Sequence, residues 1–484
     1  MGVRGQLVLV LALLAPRGVF GGTGDWQEKV QPSVLVRANA GSVPFLIFMK
    51  ERADLSGAAK LASKVERGYW VYEQLNRVAD RSQRDVLAML DAYGVAYQRF
   101  WAANMILSGG SIDLIKSLAS REDVRGIYAN PTVHFPEPME SGGSNNGPDS
   151  IEWNVIQIGA VDVWTQGFFG QGIVVGGEDT GYQWDHPALI NHYRGWDGAA
   201  ATHDYNWHDS IHSGGGVCGA DSPFPCDDYG HGTHTMGTMV GDDGANNQIG
   251  VAPGATWIGC RNMDRGNGTP ATYTECFQWF IAPTDLSGQN PDPTMAPHVI
   301  NNSWGCPPSE GCTDPNVLRD VVEATRAAGI VVVVSAGNSG SGCSSVTDPA
   351  AIYEASFSVG ATSSSDTIAG FSSRGPVIID GSNRLKPDIS APGVGVRSSV
   401  PRNSYGSLNG TSMAGPHVVG AVALILSAAP QLIGLPDDIQ NLLEMTALPR
   451  TTTQSCGGIS GDQVPNNTYG WGRVDAFAAY LALQ

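Results

Sequence analysis

Val43–Met49 (VPFLIFM) is an unbroken apolar run of strand length. Between Gly68 and Leu90 the apolar residues Val71, Leu75, Ala79, Val86 and Leu90 return at helical intervals. Residues 97–107 are aromatic-rich and read as a strand. Ser111 stands where it would cap a short helix whose apolar face is Ile112, Ile115 and Leu118. Residues 124–135 (VRGIYANPTVHF) close the pattern as strand, turn and strand. Alternating strands and helices over residues 42–135 suggest a split βαβ sandwich, a small ferredoxin-like α+β unit.

After residues 136–150 (PEPMESGGSNNGPDS), rich in Pro, Gly, Ser and Asn, the pattern changes. Such a stretch reads as a linker open to proteolytic nicking. Beyond it, β-branched runs at 173–176, 256–258, 298–301 and 329–334 alternate with helical stretches such as 315–328 and 415–429. Continuous apolar strands with helices between them predict a parallel sheet covered on both faces. Functional groups in such folds lie beyond the carboxyl ends of the strands.

Charge follows the same division. Residues 1–150 hold 16 Lys/Arg and 15 Asp/Glu, whereas residues 151–484 hold 12 and 31. The whole chain of 484 residues carries −18. Its shortage of basic residues argues against a nucleic-acid partner. Residues 7–15 (LVLVLALLA) follow Arg4 and are far too few to span a bilayer, which takes about 20. They read as the core of a secretory signal peptide over 1–24, with a buried N-terminal strand as the alternative. No later stretch is apolar for long enough to span a membrane. All eight Cys fall between Cys218 and Cys456. An even number downstream of an export signal suggests disulfides. Close spacing favours Cys218–Cys226, Cys260–Cys276 and Cys306–Cys312, leaving Cys343 and Cys456. Free buried thiols remain the alternative, and sequence alone does not fix the pairing.

Three segments carry candidate chemistry. Asp179 lies just past a buried strand in VVGGEDTGY; His231 opens a helix in DDYGHGTHTMG; Ser412 opens another in LNGTSMAGPHVVG. Serine is a weak nucleophile until a base takes its proton, and the base needs a carboxylate to hold one tautomer. Small residues around Ser412 admit a substrate backbone. Singly each motif is weak. DTG is often a turn, and HGTH could place His231 and His234 on a metal, although the glutamate of the HExxH zinc pattern is missing.

Together, in the order Asp, His, Ser, these segments resemble the subtilisin-like serine proteases, the subtilases. The likeness continues through GVAP at 250–253, INNSWG at 300–305, SAGN at 335–338, DISAPG at 388–393 and YGWGRVDAFAA at 469–479. EDTGY, YRGW and CRNMDRGNGTPATYTECFQW are most similar to the bacillopeptidase F-like branch. The resemblance implies a subtilisin-like α/β fold over 151–484, preceded by a propeptide at 25–138 that acts as chaperone and inhibitor. A linker at 139–150 would hold the maturation site. It implies that Asp179 orients His231, that His231 is general base and then general acid, and that Ser412 attacks the scissile carbonyl. Asn338 and the Ser412 backbone N–H would form the oxyanion hole. Ser303, Trp304 and Gly305 would pair with substrate as an edge strand, and Ala336 and Gly337 would complete the substrate site. Trp304 could be a pocket wall or simply core.

The expected activity is that of a secreted, monomeric serine endopeptidase, made as a self-processed zymogen. Its partners would be protein and peptide substrates and its own propeptide, with no nucleic acid and no membrane. A binding protein on the same fold and an exopeptidase or transpeptidase are the competing readings. No cofactor is needed for this chemistry. Subtilases often hold structural calcium, but the segment 244–253 is shorter than the usual calcium loop. Asp221, Asp227 and Asp228 could supply oxygen ligands instead, and His203, Asp204, His208, Asp209 and His212 could attract a transition metal. Both groups read equally as solvated loops.

Overall fold

A computed structural model describes residues 26–135, 139–140, 151–214 and 216–484. The proposed signal peptide, and most of the proposed linker, lie outside the described residues.

The N-terminal region folds around strand β1 (Val43–Met49). Helices α1 (Lys64–Ser82) and α2 (Arg84–Tyr93) follow, then β2 (Tyr97–Phe100), β3 (Met105–Gly110), α3 (Ile112–Ala119) and β4 (Val124–Ala129). The four strands form an antiparallel sheet in the order β2-β3-β1-β4. The single helix expected between Gly68 and Leu90 is two helices, broken at buried Gln83. Its side-chain amide donates to the Phe100 carbonyl at 3.1 Å and to Asn104 Oδ1 at 3.0 Å. That bond also fixes the turn that makes 97–107 a hairpin and not one strand.

The period-2 pattern of β1 separates two cores. Phe45, Ile47 and Met49 face the region's own helices, with Val86, Leu90, Ile115 and Leu118. Leu46 and Phe48 face the other way, into a core they share with the C-terminal region. The last expected strand, β5 (Val133–His134), leaves the first sheet altogether. It pairs antiparallel with Asn267–Gly268 of the C-terminal region.

That region is built on seven parallel strands: β6 (Val174–Asp179), β7 (Trp207–Asp209), β8 (Thr256–Arg261), β9 (Val299–Asn302), β10 (Val331–Ser335), β11 (Phe357–Thr362) and β12 (Ile389–Pro392). Their order is β12-β11-β10-β9-β6-β8-β7. Helices α4 (His231–Val240), α5 (Pro270–Ile281), α6 (Arg319–Ala327) and α7 (Thr411–Ala428) cover them. Val331 and Val333 pack with α4 and α7 on one face. Val332 and Val334 pack with α5 and α6 on the other. This is the α/β architecture expected of the β-branched runs.

The eight Cys form four disulfides: Cys218–Cys226, Cys260–Cys276, Cys306–Cys312 and Cys343–Cys456. Across the two regions, Gln98 donates to Glu275 Oε2 at 2.6 Å, and the Trp101 and Ala102 N–H groups donate to Gln278 Oε1. Lys64 Nζ is buried in the seam and donates to the Ala296 carbonyl at 3.0 Å.

Candidate active site

Asp179 is the last residue of β6, and His231 is the first of α4. Two glycines let these ends touch. A Cβ on Gly181, at φ +106°, would sit 1.8 Å from the Cys226 carbonyl oxygen, and one on Gly232 would sit 2.1 Å from the Gly181 oxygen. The close approach leaves His231 Nδ1 2.7 Å from Asp179 Oδ1, with both side chains buried. Asp179 also accepts from the Thr180 N–H at 2.8 Å and from the Thr235 hydroxyl at 3.2 Å. Nδ1–H of His231 is therefore the donor, and Nε2 carries the lone pair in the neutral ring. Nε2 is buried and has no partner among the described residues. Glu178, next along β6, is held by Asn262 Nδ2 at 3.0 Å. Burial pushes its carboxyl well up, against the opposing Asn262 bond and with the Asp179 charge adding to the rise.

Asp227 fastens this corner. Its carboxylate accepts from the Thr180 hydroxyl, from the Tyr229, Gly230 and Thr233 N–H groups, and from the Thr233 hydroxyl. It thus ties the DTG turn to the N-terminus of α4, where a carboxylate is electrostatically favoured. Both of its oxygens are engaged by these donors. Asp221 pairs with His212 Nδ1 at 2.6 Å. His208 and His212 both bond Glu275, the carboxylate that Gln98 reaches. Tyr193 bonds His203. Among the described residues no group of three or more His, Cys, Asp or Glu is arranged to hold a metal. The donors expected for calcium do not converge. His234 is not on a metal with His231; its Nε2 donates to the Val396 and Gly406 carbonyls, and burial lowers it to about 3, so it stays neutral.

Helix α7 begins at Thr411, so Ser412 lies in its first turn. Pro416 lies inside it and has no N–H for the Ser412 carbonyl. The Ser303 hydroxyl supplies that bond at 3.0 Å. In return the Ser412 hydroxyl donates to the Ser303 carbonyl at 3.1 Å. Ser412 Oγ is therefore parked beside the end of β9 and is not on His231. Asn338, three residues past β10, is oriented by Thr411, whose N–H and hydroxyl both donate to Oδ1 at 2.9 Å. Fixing the oxygen leaves the amide N–H₂ as the free end. The Ser412 N–H is one of the first four of α7, which have no intrahelical acceptor. Gly337 donates to the Thr411 hydroxyl, and Ala336 is buried beside β11.

A cavity of about 330 Å³ opens next to Ser412 and Asn338, walled by Ser303, Trp304, Gly305, Ser335 and Gly337, while Ala336, expected in the substrate site, does not line it. Trp304 is both core and wall: it is 3% exposed, stacks on Tyr273 at 3.9 Å, and lines the cavity. Among the described residues, 303–305 forms no edge strand; β9 ends at Asn302. The chain that lies in the groove is β5, held by Asn267–Gly268 and by Glu310, which accepts the His134 N–H at 2.9 Å. Phe135 follows, its ring 4.3 Å from that of His231. On the far side, Met139–Glu140 pairs with β14 (Ser404–Asn409), which forms a hairpin with β13 (Val396–Val400) just ahead of α7. Sequence reasoning missed Phe135 and offered Asp227 only as a cation ligand. Only the spacing of Asp227 to Gly230 and His231, that of a helix-capping carboxylate, could have signalled the latter.

Fold and site together define a hydrolase-type centre on a parallel α/β sheet, with a carboxylate–imidazole pair at the end of β6 and the start of α4, and a serine at the start of α7 sharing a cavity with a free amide. The subtilase family model matches residues 170–472, more than half the chain, and the chain belongs to the subtilase family. It is 38% identical to bacillopeptidase F of Bacillus subtilis (strain 168) over 472 residues, covering 91% of this chain and 31% of that protein. It thus spans about a third of that relative's length. It is 29% identical to subtilisin E of the same organism over 406 residues, covering 83% of this chain and 91% of that one. It is 30% identical to an alkaline protease of Shouchella clausii over 370 residues, covering 76% and 80%. An alignment over 83% of the chain cannot fit within residues 151–484, so the likeness reaches into the N-terminal region.

Proposed function

We propose that the chain is a secreted serine endopeptidase made as a self-processed zymogen. Ser412 attacks the scissile carbonyl, giving its proton to His231 Nε2, and the acyl-enzyme forms as His231 returns the proton to the leaving amine. A water molecule then repeats the sequence and frees the carboxylate product. Asp179 holds the tautomer and stabilises the imidazolium. Asn338 Nδ2 and the Ser412 N–H receive the oxyanion. The 2.7 Å bond from His231 Nδ1 to Asp179 carries this reading, because it fixes the tautomer whose Nε2 lone pair can take the Ser412 proton.

Residues 25–138 act as propeptide and inhibitor, and 151–484 as the peptidase domain, a monomer once released. The support is β5 in the groove and Met139–Glu140 beyond it. The chain is described up to Phe135 and again at Met139–Glu140, where the 139–150 segment begins, and the first cut is taken to fall within that segment. Secretion rests on the apolar run at 7–15 and on the four disulfides. A fluorophosphonate probe on the processed protein is expected to label Ser412, and N-terminal sequencing to place the cut within 139–150. No label in processed protein, or efficient self-processing of Ser412→Ala, overturns the reading.

A further inference from the structure

The cavity beside Ser412 ends on a carboxylate that the reading above leaves unused. Asp348 Oδ1 takes the Thr347 hydroxyl at 3.0 Å. Oδ2 accepts no hydrogen bond among the described residues. It lies at the glycine walls: a Cβ on Gly305 would be 2.5 Å from it, and one on Gly337 would be 3.9 Å. Side chains at those positions would fill the space in front of the carboxylate; the glycines keep it open. Glu310 adds a second carboxylate at the rim, and no Lys or Arg lines the cavity. A largely buried carboxylate with a free oxygen is costly until a donor arrives. Burial, then the nearby Glu310, raises Asp348 to about 6, so it is ionised at neutral pH. Both carboxylates sit on stapled loops. Cys306–Cys312 closes the loop of Glu310. Cys343–Cys456 and a 2.7 Å bond from Gln454 Nε2 to the Ser341 carbonyl anchor the loop that leads to Asp348.

We propose that Asp348 makes this the pocket for a basic side chain, so that the peptidase cuts on the carboxyl side of Lys or Arg. The inference rests on Ser412 being the nucleophile. The cavity belongs to the N-terminal side of the scissile bond because Val133–Phe135, which precede the 139–150 segment taken to hold the cut, line it. An aliphatic stem would run between the two glycine walls, and its cationic head would meet Oδ2 in a charge-assisted hydrogen bond. The protein's own groove segment lacks that head, since there is no Lys or Arg between Arg125 and Arg194. It is thus a poor substrate for its own pocket, as a resident inhibitor should be, and its first cut relies on being held in place.

The test uses the processed enzyme and internally quenched peptides that differ only in the residue before the cut: Arg, Lys, Leu, Phe or Glu. The kcat/KM for Arg and Lys is expected to exceed that for Leu at least tenfold. In Asp348→Asn that ratio should fall at least tenfold, mainly through KM of the basic peptides, while Asp348→Glu should keep a basic preference. An active wild-type enzyme without basic preference overturns the pocket and leaves the Ser412 reading standing. So does an Asp348→Asn variant that loses the same factor on Arg and Leu peptides. Should the variant fail to fold, the wild-type profile decides alone. Absence of both hydrolysis and fluorophosphonate labelling overturns the catalytic reading and this proposal with it.

Discussion

In the seven-stranded sheet both faces are covered from within the same region. Val331 and Val333 meet α7, and Val332 and Val334 meet α5 and α6. In the four-stranded sheet only one face is covered so. Phe45, Ile47 and Met49 bury against local helices, whereas Leu46 and Phe48 join the core of the other region. The larger sheet can stand alone; the smaller one completes itself on a surface it does not own. That asymmetry makes the N-terminal region depend on the other for the burial of one face of its sheet. Its hold is polar as well as apolar, through Gln98, Trp101 and Ala102 on Glu275 and Gln278.

The severest test of this division is Ser412→Ala. It should lower turnover by about 10⁶-fold, the scale seen when a subtilisin loses its nucleophile, and leave the two regions covalently joined on a denaturing gel. Asn338→Ala should cost about 10²–10³ in kcat with little change in KM, again the scale known from a subtilisin. Processing of the precursor should slow in parallel.

Two substitutions one residue apart then separate the faces of β1. Phe48→Ala should weaken inhibition of the processed enzyme by the added N-terminal region about thirtyfold, for about 2 kcal/mol of lost burial. Ile47→Ala should instead lower that region's own melting temperature. Equal effects of the two on both readouts would erase the distinction drawn here.

A smaller effect concerns Lys64. Burial, then the Arg194 charge, lowers its ammonium to about 7 in the assembled molecule, with His298 also nearby. Once released, Lys64 returns to about 10.4. The docked form therefore holds fewer protons between those values, and its grip tightens by about tenfold per pH unit from 7 upward. Below pH 7 Lys64 is charged in both forms, and its share of the pH dependence vanishes. The inhibition constant measured against pH should show this slope, and Lys64→Met should flatten it. The smallest shift is in selectivity: the ratio of Arg to Leu cleavage should decline as pH falls through about 6, where Asp348 takes a proton.

Much of this was legible in the chain. β-branched runs announced the parallel sheet, and the glycine-flanked Asp179, His231 and Ser412 announced the centre, because close packing at a strand or helix end restricts residue choice locally. Asp348 left no such trace. Its role comes from facing Gly305 and Gly337, 43 and 11 positions away, and nothing in TDPAA signals that. Ser412 was read as opening α7, but not how the helix tolerates Pro416 inside it: the bond Pro416 forfeits is made good by Ser303, more than a hundred residues upstream. The fate of β5 was hidden for the same reason: an isolated strand does not say which sheet it will join.

The stretch without Lys or Arg from 126 to 193 has a kinetic consequence. If the mature pocket demands a cation, one molecule cannot open another at this segment. The first cut is then unimolecular, with a half-time independent of concentration. Destruction of the freed inhibitor is different, since the N-terminal region carries its Lys and Arg before that stretch. Each liberated enzyme can digest the inhibitors of its neighbours, so the second stage feeds on its own product. A solution of precursor should therefore pass through a lag and then a burst, the lag shortening on dilution into traces of active enzyme.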